Sequence, residues 1–278
     1  STNTPLGTVA LGTVVESGAT LDLAGYTLGT AEALTLNGTG ILSGGALMNS
    51  GAAAATYSGL MTLGSASSIV GGTGLITISN VGTITGDTFG LTLGGTQGGT
   101  LRSILGTTTG TLTKSDSGTW TLSGANTYTG LTTVSAGYLE LNTAGSVVTD
   151  VVNNAGFGFN QTADFTFAKT ISGTGYLVKH GTNTLTLMAA NTYTGGTTVN
   201  AGTLKAGISS TGSVTNGPFG TGTVTVNSGD RIRMLALEWH RVIPGSGDLQ
   251  MIIKEEATTG NEIDISGVDA FDPRFTED

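Results

Sequence analysis

The chain has no cysteine among its 278 residues. That excludes a disulfide framework, thiol chemistry and thiolate-bound zinc. Its two histidines, His180 and His240, stand 60 positions apart, and with no cysteine beside them a zinc site is not expected. There are four prolines, and charged residues make up 10%. Ten lysines and arginines face 19 acidic residues, for a net charge of −9. Nucleic acid is not expected as a partner, because phosphate binding needs a basic stripe. No run approaches the roughly 20 apolar residues of a membrane-spanning helix, so no membrane span is expected. The first residues, STNTPLGTVALG, carry neither a basic start nor an apolar core. Any secretory signal is therefore expected to lie outside this sequence or to have been removed.

What is abundant is threonine, with 52 residues, and glycine, with 47. Low charge and few aromatics are also features of disordered chains. Here aliphatic residues alternate strictly with polar ones, which argues instead for half-buried strands. Thr119-Trp120-Thr121-Leu122 puts Trp120 and Leu122 on one face and the threonines on the other. Glycine-rich turns close each strand after a few residues.

One block organises the sequence. Residues 111–139, TLTKSDSGTWTLSGANTYTGLTTVSAGYL, return at 176–204 as YLVKHGTNTLTLMAANTYTGGTTVNAGTL. The offset is 65 residues without a gap, and 17 of 29 positions are identical. A period this long, filled with short strands, indicates a solenoid. It divides into three coils of roughly 21–22 residues each. Equivalent strands then stack at about 4.8 Å, with Thr, Val, Leu and Ile in ladders. The core expected from this register comprises Leu112, Trp120, Leu122, Tyr128, Val134 and Leu139 in the first block. Leu177, Leu185, Leu187, Tyr193, Val199 and Leu204 are their counterparts in the second. Tyr128 and Tyr193, in the shared segment NTYTG, are expected to pack at a corner. Lys114 and Lys179 are expected at solvent-facing strand ends.

Both blocks resemble the autotransporter-associated β-strand repeat of bacterial surface proteins. That family's pattern is similar to G-x-L-x-K-x-G-x-G-x-L-x-L-x-G-x-N-x-Y-x-G-x-T-x-V-x-x-G-x-L, and both copies follow it. The resemblance implies an all-β, right-handed parallel β-helix (β-solenoid), exported, and usually part of a much longer chain. This sequence is then expected to be a passenger segment at the cell surface or outside the cell, with its signal and any membrane anchor elsewhere.

Residues 1–229 read as this β-helix, in roughly ten coils. Near residue 230 the composition breaks. Residues 1–229 hold 13 charged residues and residues 230–278 hold 16. Only three threonines lie beyond residue 229. Leu235, Leu237 and Trp239 alternate, as do Leu249, Met251 and Ile253, with Gly245-Ser246-Gly247-Asp248 between them. This reads as a charged β-hairpin, with a helix through 231–241 as the alternative. Its expected role is to cap the last coil, or to join molecules head to tail by docking on another molecule's first coil.

Catalytic residues are not expected. A polysaccharide-cleaving β-helix needs paired carboxylates or a calcium ion with basic residues. Residues 1–229 hold only eight carboxylates, none close to another in sequence: Glu16, Asp22, Glu32, Asp87, Asp116, Glu140, Asp150 and Asp164. Arg102 is the only arginine before residue 230. No cofactor is expected and no metal site, since calcium-loop motifs are absent and Asp264, Asp269 and Asp272 read as a solvated acidic tail, with a weak oxygen-lined calcium site as the alternative. Phe157, Phe159, Phe165 and Phe167 read as stacked core, with a carbohydrate-stacking face as the alternative. The leading expectation is a non-enzymatic structural or adhesive β-helix that forms a stalk, fibre or surface layer. Its partners would be further copies of itself, or a glycan or host-surface ligand. A glycan lyase or hydrolase on the same scaffold is the second reading. A threonine array binding ice or another crystal surface is the third, although Thr-x-Thr pairs recur irregularly.

Overall fold

The computed structural model describes residues 6–7, 10–208 and 217–226, together with the backbone of 231–235, 242–244 and 262–264. The chain is all-β and built of parallel stacked coils, a β-solenoid. Among the described residues the only helical turn is the 3-10 segment Ile41–Ser43. The chain forms two compact units, Ser1–Phe157 and Gly158–Asp278.

In the first unit one sheet stacks Thr13–Val15, Leu34–Gly38, Met61–Gly71, Leu91–Gly94, Leu112–Lys114, Thr132–Val134 and Val151–Asn153. A second stacks Ala55–Tyr57, Ile76–Ile78, Gly98–Leu101, Thr119–Leu122 and Tyr138–Asn142. These strands pair in parallel, in rows such as Leu91↔Leu112↔Thr132↔Val151, with a register shift between Leu36 and Gly38 where Leu34–Gly38 meets Met61–Gly71. The burial follows the period of two that the alternation requires. Thus Thr119–Leu122 runs exposed, buried, half-buried, buried.

In the second unit Tyr176–Lys179, Thr197–Val199, Val224–Val226 and Val242–Pro244 stack in parallel. A neighbouring sheet carries Phe165–Phe167, Thr184–Leu187, Thr203–Ala206 and Arg231–Leu235. Parallel stacking therefore continues past the composition break, through Arg231–Leu235 and Val242–Pro244. Only then does Glu262–Asp264 turn back, antiparallel on Arg231–Leu235. Leu237, Trp239, Leu249, Met251 and Ile253 of the expected hairpin lie outside the described residues, as do Asp269 and Asp272. Leu235 and Asp264 are described by backbone alone.

Coil length departs from the expected 21–22. Inside the repeats the advance is 20 residues from Leu112 to Thr132 and 19 from Thr132 to Val151. In the second unit it is 20 from Leu177 to Thr197 and 19 from Thr184 to Thr203. Sixty-five residues therefore exceed three coils of this kind. Elsewhere the coils lengthen, reaching 27 residues from Leu34 to Met61. That coil carries the loop 40–45, where Leu42 and Ser43 hold positive φ of 49° and 62°.

The tightest approaches are backbone against backbone. Gly98 has φ +80°, and a Cβ there would lie 2.0 Å from the carbonyl oxygen of Thr119 in the next coil. Neither the left-handed conformation nor the gap admits a side chain. Gly98→Ala should destabilise the first unit by about 2 kcal/mol or more. A urea titration followed by circular dichroism measures this; an unchanged midpoint would show the coils can part there freely.

Candidate functional site

The recurring block contains densely bonded polar side chains, and they are buried. Alternation places Lys114 on the same face as Leu112, two residues on. Lys114 is fully buried and Lys179 nearly so. This corrects the expectation of solvent-facing strand ends. Lys114 Nζ donates to the carbonyl oxygens of Ser115, of Asp116 (2.8 Å) and, in the next coil, of Ala136 (3.1 Å). Lys179 Nζ donates to the carbonyl of Gly181, to that of Ala201 in the next coil at 3.1 Å, and to Asn183 Oδ1 at 3.3 Å. Asp116 and Gly181, and Ala136 and Ala201, are equivalent positions of the two copies. Each ammonium thus closes a corner where the strand ladder stops and carbonyls would lack donors.

Asn126 and Asn191 do similar work at another corner. Asn126 Oδ1 accepts from the Leu105 N–H of the preceding coil at 2.7 Å, and its Nδ2 donates to Ser146 O of the following one at 2.8 Å. Asn191 Oδ1 accepts from Ile171 N–H at 2.7 Å, and its Nδ2 donates to Pro218 O at 2.6 Å. Two residues on, Tyr128 and Tyr193 are fully buried. Their hydroxyls pair with Thr132 Oγ1 at 2.7 Å and Thr197 Oγ1 at 2.5 Å. Burial raises both phenols above their ordinary range, and the threonine hydroxyls only partly offset it. They fill corners, and neither ring is open to a ligand.

The twelve core residues expected from the alternation are all buried, Trp120 and Leu185 included. Trp120 Nε1 also donates to Gly94 O of the preceding coil at 2.9 Å. Sequence reasoning missed a related corner. Tyr57-Ser58-Gly59-Leu60 matches Tyr128-Thr129-Gly130-Leu131 in pattern, and Tyr57 is fully buried. Met61 stands where the later copy has Thr132, so the Tyr57 hydroxyl donates to the Glu32 carbonyl instead. The shared Tyr-x-Gly-Leu was the available signal.

Among the described residues the carboxylates serve the backbone and hydroxyls of their own stack. Asp22 accepts from the Ser50 hydroxyl and N–H and from Ala24 N–H. Burial acts to raise its pKa, but these bonds prevail and it lies below the ordinary value. Asp116 Oδ2 accepts from Gly95 N–H at 2.7 Å, and Asp164 Oδ1 from Thr184 N–H at 2.8 Å. Asp87 precedes the row Leu91↔Leu112 and Asp116 follows it, so they stand at opposite ends of their strands. Glu32 is buried; its Oε1 accepts from Thr13 Oγ1 at 2.5 Å, and its Oε2 has no partner. His180 Nδ1 lies 3.2 Å from Asn200 Nδ2. Among the described residues no group of three or more His, Cys, Asp or Glu is placed to hold a metal. No helix among them is long and apolar enough to cross a membrane.

Three of the four phenylalanines at 157–167 are core, and Phe165 is half-buried. Phe157, Phe159 and Phe167 are buried, and Phe159 meets Phe167 edge-on at 5.2 Å. The carbohydrate-stacking alternative is therefore set aside for Phe157, Phe159 and Phe167. Threonines do form outward columns: Thr56, Thr77, Thr100 and Thr121 are in register, one per coil. Two residues before the last three stand Leu75, Gly98 and Thr119, so a paired Thr-x-Thr array does not form.

Comparison with known proteins agrees with this geometry. Residues 112–141 and 177–206 match the family described as passenger-associated-transport-repeat. A stretch of 63 residues is 48% identical to the adhesin BmaC autotransporter of Brucella suis biovar 1 (strain 1330). It covers 23% of this chain and 2% of that adhesin. No solved structure matches the chain.

Burial brings the Lys114 ammonium down to about 8 from an ordinary 10.5, while Asp116 pulls the other way. Between those values the unfolded chain holds one proton more than the folded chain, so stability rises with pH across that window. Lys114→Met should abolish this rise between about pH 8 and 10.5. It should also cost about 1–3 kcal/mol, by leaving carbonyls unpaired. Urea midpoints of both chains across that range test it; parallel pH profiles would refute the lowered pKa of Lys114. Tyr128→Ala should lower stability by about 3–5 kcal/mol, read as a fall in Tm, and loss of ligand binding at unchanged Tm would reverse the assignment.

Proposed function

The chain carries two autotransporter passenger repeats, and from that premise we propose that it is a non-enzymatic segment of a bacterial surface β-helix. Its work is structural or adhesive: to project a rigid stack from the cell, as stalk, fibre or surface layer. The observation that carries this reading is the use made of the block's polar side chains. Lys114, Lys179, Asn126, Asn191, Tyr128 and Tyr193 all bond to the backbone or threonines of their own stack. What faces outward includes columns of threonine and scattered apolar side chains such as Leu42, Val81 and Tyr176, which suits contact with a surface rather than catalysis. The similar adhesin of Brucella suis supports an adhesive role, although the matched stretch is a small part of that protein. A glycan or host-surface ligand is the partner this reading implies, outside the cell.

Two measurements test it together. Electron microscopy of the native material should show extended particles, and the purified chain should adhere to host-cell or glycan-coated surfaces. It should release no reducing ends from a panel of polysaccharides. A compact, non-adherent chain that cleaves glycans would overturn the reading.

A further inference from the structure

We propose that the outer face of the second sheet of the first unit binds an oligosaccharide bearing a single acidic group, which Arg102 holds. The inference rests on the adhesive role proposed above and names the class of ligand and the residue that selects it.

The first observation is an arginine with no duty in the stack. Residues 1–157 contain two cationic side chains, Lys114 and Arg102. Lys114 is buried and closes a corner, so Arg102 is the exposed one. Among the described residues no hydrogen bond or ion pair holds its guanidinium. The second observation is its setting. Arg102 follows Gly98–Leu101 and points outward by the same alternation that buries Leu101. Its N–H donates to Ile78 O, and Ser123 N–H donates to Leu101 O. Those bonds set Arg102 between Ser79 and Ser123 of the adjoining coils, with about 4.8 Å between neighbouring strands. Two residues back lies the outward column Thr77, Thr100 and Thr121. The strands Ile76–Ile78, Gly98–Leu101 and Thr119–Leu122 contain no acidic residue. The column meets its first carboxylate at Glu140, one coil beyond Thr121.

Charge and spacing select the occupant. A guanidinium without a carboxylate of its own pairs best with a planar acid, through two parallel N–H···O bonds. Serine and threonine hydroxyls both donate and accept, which suits the hydroxyls of a sugar. Gly98, where the close approach to Thr119 excludes a side chain, leaves the far end of the row open. From there to Arg102 is about 13 Å, room for a short oligosaccharide laid along the strand. The rest of the unit limits how acidic that ligand can be. Residues 1–157 hold seven carboxylates against the two cations, a net charge of −5. A densely sulfated polyanion meets that field along its whole length and gains one arginine. A chain with one carboxylate gains the same pairing and avoids most of the repulsion.

Ligand-observed NMR titration of the full chain tests this with four probes: sialyllactose, a trisaccharide ending in glucuronic acid, neutral lactose and heparin. At least one of the two singly acidic probes should bind about tenfold or more tightly than lactose, and should weaken as salt rises. Heparin should bind no tighter than that probe. Arg102→Gln should weaken binding about tenfold or more, and Arg102→Lys less, since the charge survives without the fork. Ser123→Glu sets a carboxylate beside the guanidinium and should weaken binding as Arg102→Gln does. Circular dichroism of each variant verifies that it is folded. Lactose bound as tightly, heparin preferred, or Arg102→Gln binding like wild type overturns the site, as does failure of both acidic probes. Adhesion to glycan-coated surfaces that persists in Arg102→Gln removes this site alone; glycan cleavage defeats the functional reading whether or not Arg102 is needed.

Discussion

A parallel stack must satisfy its backbone polar groups between coils, and it can do so along strands but not around corners. Where a strand ends, its carbonyls and N–H groups point into turns that no ladder reaches. Everything else in this chain depends on how those corners are filled. Asn126 and Asn191 each join the preceding coil to the following one. Asn49 does the same, accepting from Gly25 N–H and donating to Leu75 O. The lysines gather carbonyls from their own turn and the next. These side chains are buried because the groups they serve are buried. Removing one leaves charges or dipoles unpaired in a dry corner, a larger penalty than the net gain of one hydrogen bond.

The stack itself was legible in the sequence for a simple reason: the alternation and the repeat each specify it independently. Leu112, Leu122 and Val134 could be assigned inward from register alone, since a slip of one residue would expose them all. The lysines were misplaced because a lone charge at a strand end usually reaches water. Yet Lys114 shares its face with Leu112, and its recurrence as Lys179 on the same register was the evidence against that habit. Coil length was misjudged because a repeat period need not contain a whole number of coils. Alternation specifies which face a residue takes, but says nothing of how many residues a corner uses. The outward threonine columns were hidden for the same reason, since Thr77, Thr100 and Thr121 align only once the corner lengths are known.

The division of labour between the two faces also bears on function. Inward positions are held by packing and by the corner bonds, which leave little freedom for a ligand site. No described carboxylate pair or metal cluster stands in the stack. What the fold supplies is a long, regular exterior whose residues carry few structural duties. Fold alone does not assign a role, but a scaffold built in this way favours display over chemistry.

The two copies make that argument from within the chain. Their identities include Leu112/Leu177, Lys114/Lys179, Asn126/Asn191, Tyr128/Tyr193 and Thr132/Thr197, all buried. Their differences gather at turns and outward positions: Ser115/His180, Ser117/Thr182, Leu131/Gly196, Ser135/Asn200 and Tyr138/Thr203. Among the large inward side chains Trp120 changes to Leu185 and Leu141 to Ala206, and with Trp120 goes the indole bond to the preceding coil. The corner-fillers are kept because each serves backbone groups that every coil of this kind must satisfy. The outward residues are free to change because the parallel ladder beneath them is made by backbone. A repeat can therefore lengthen the stack without altering its interior, while each new copy offers the surroundings a different surface.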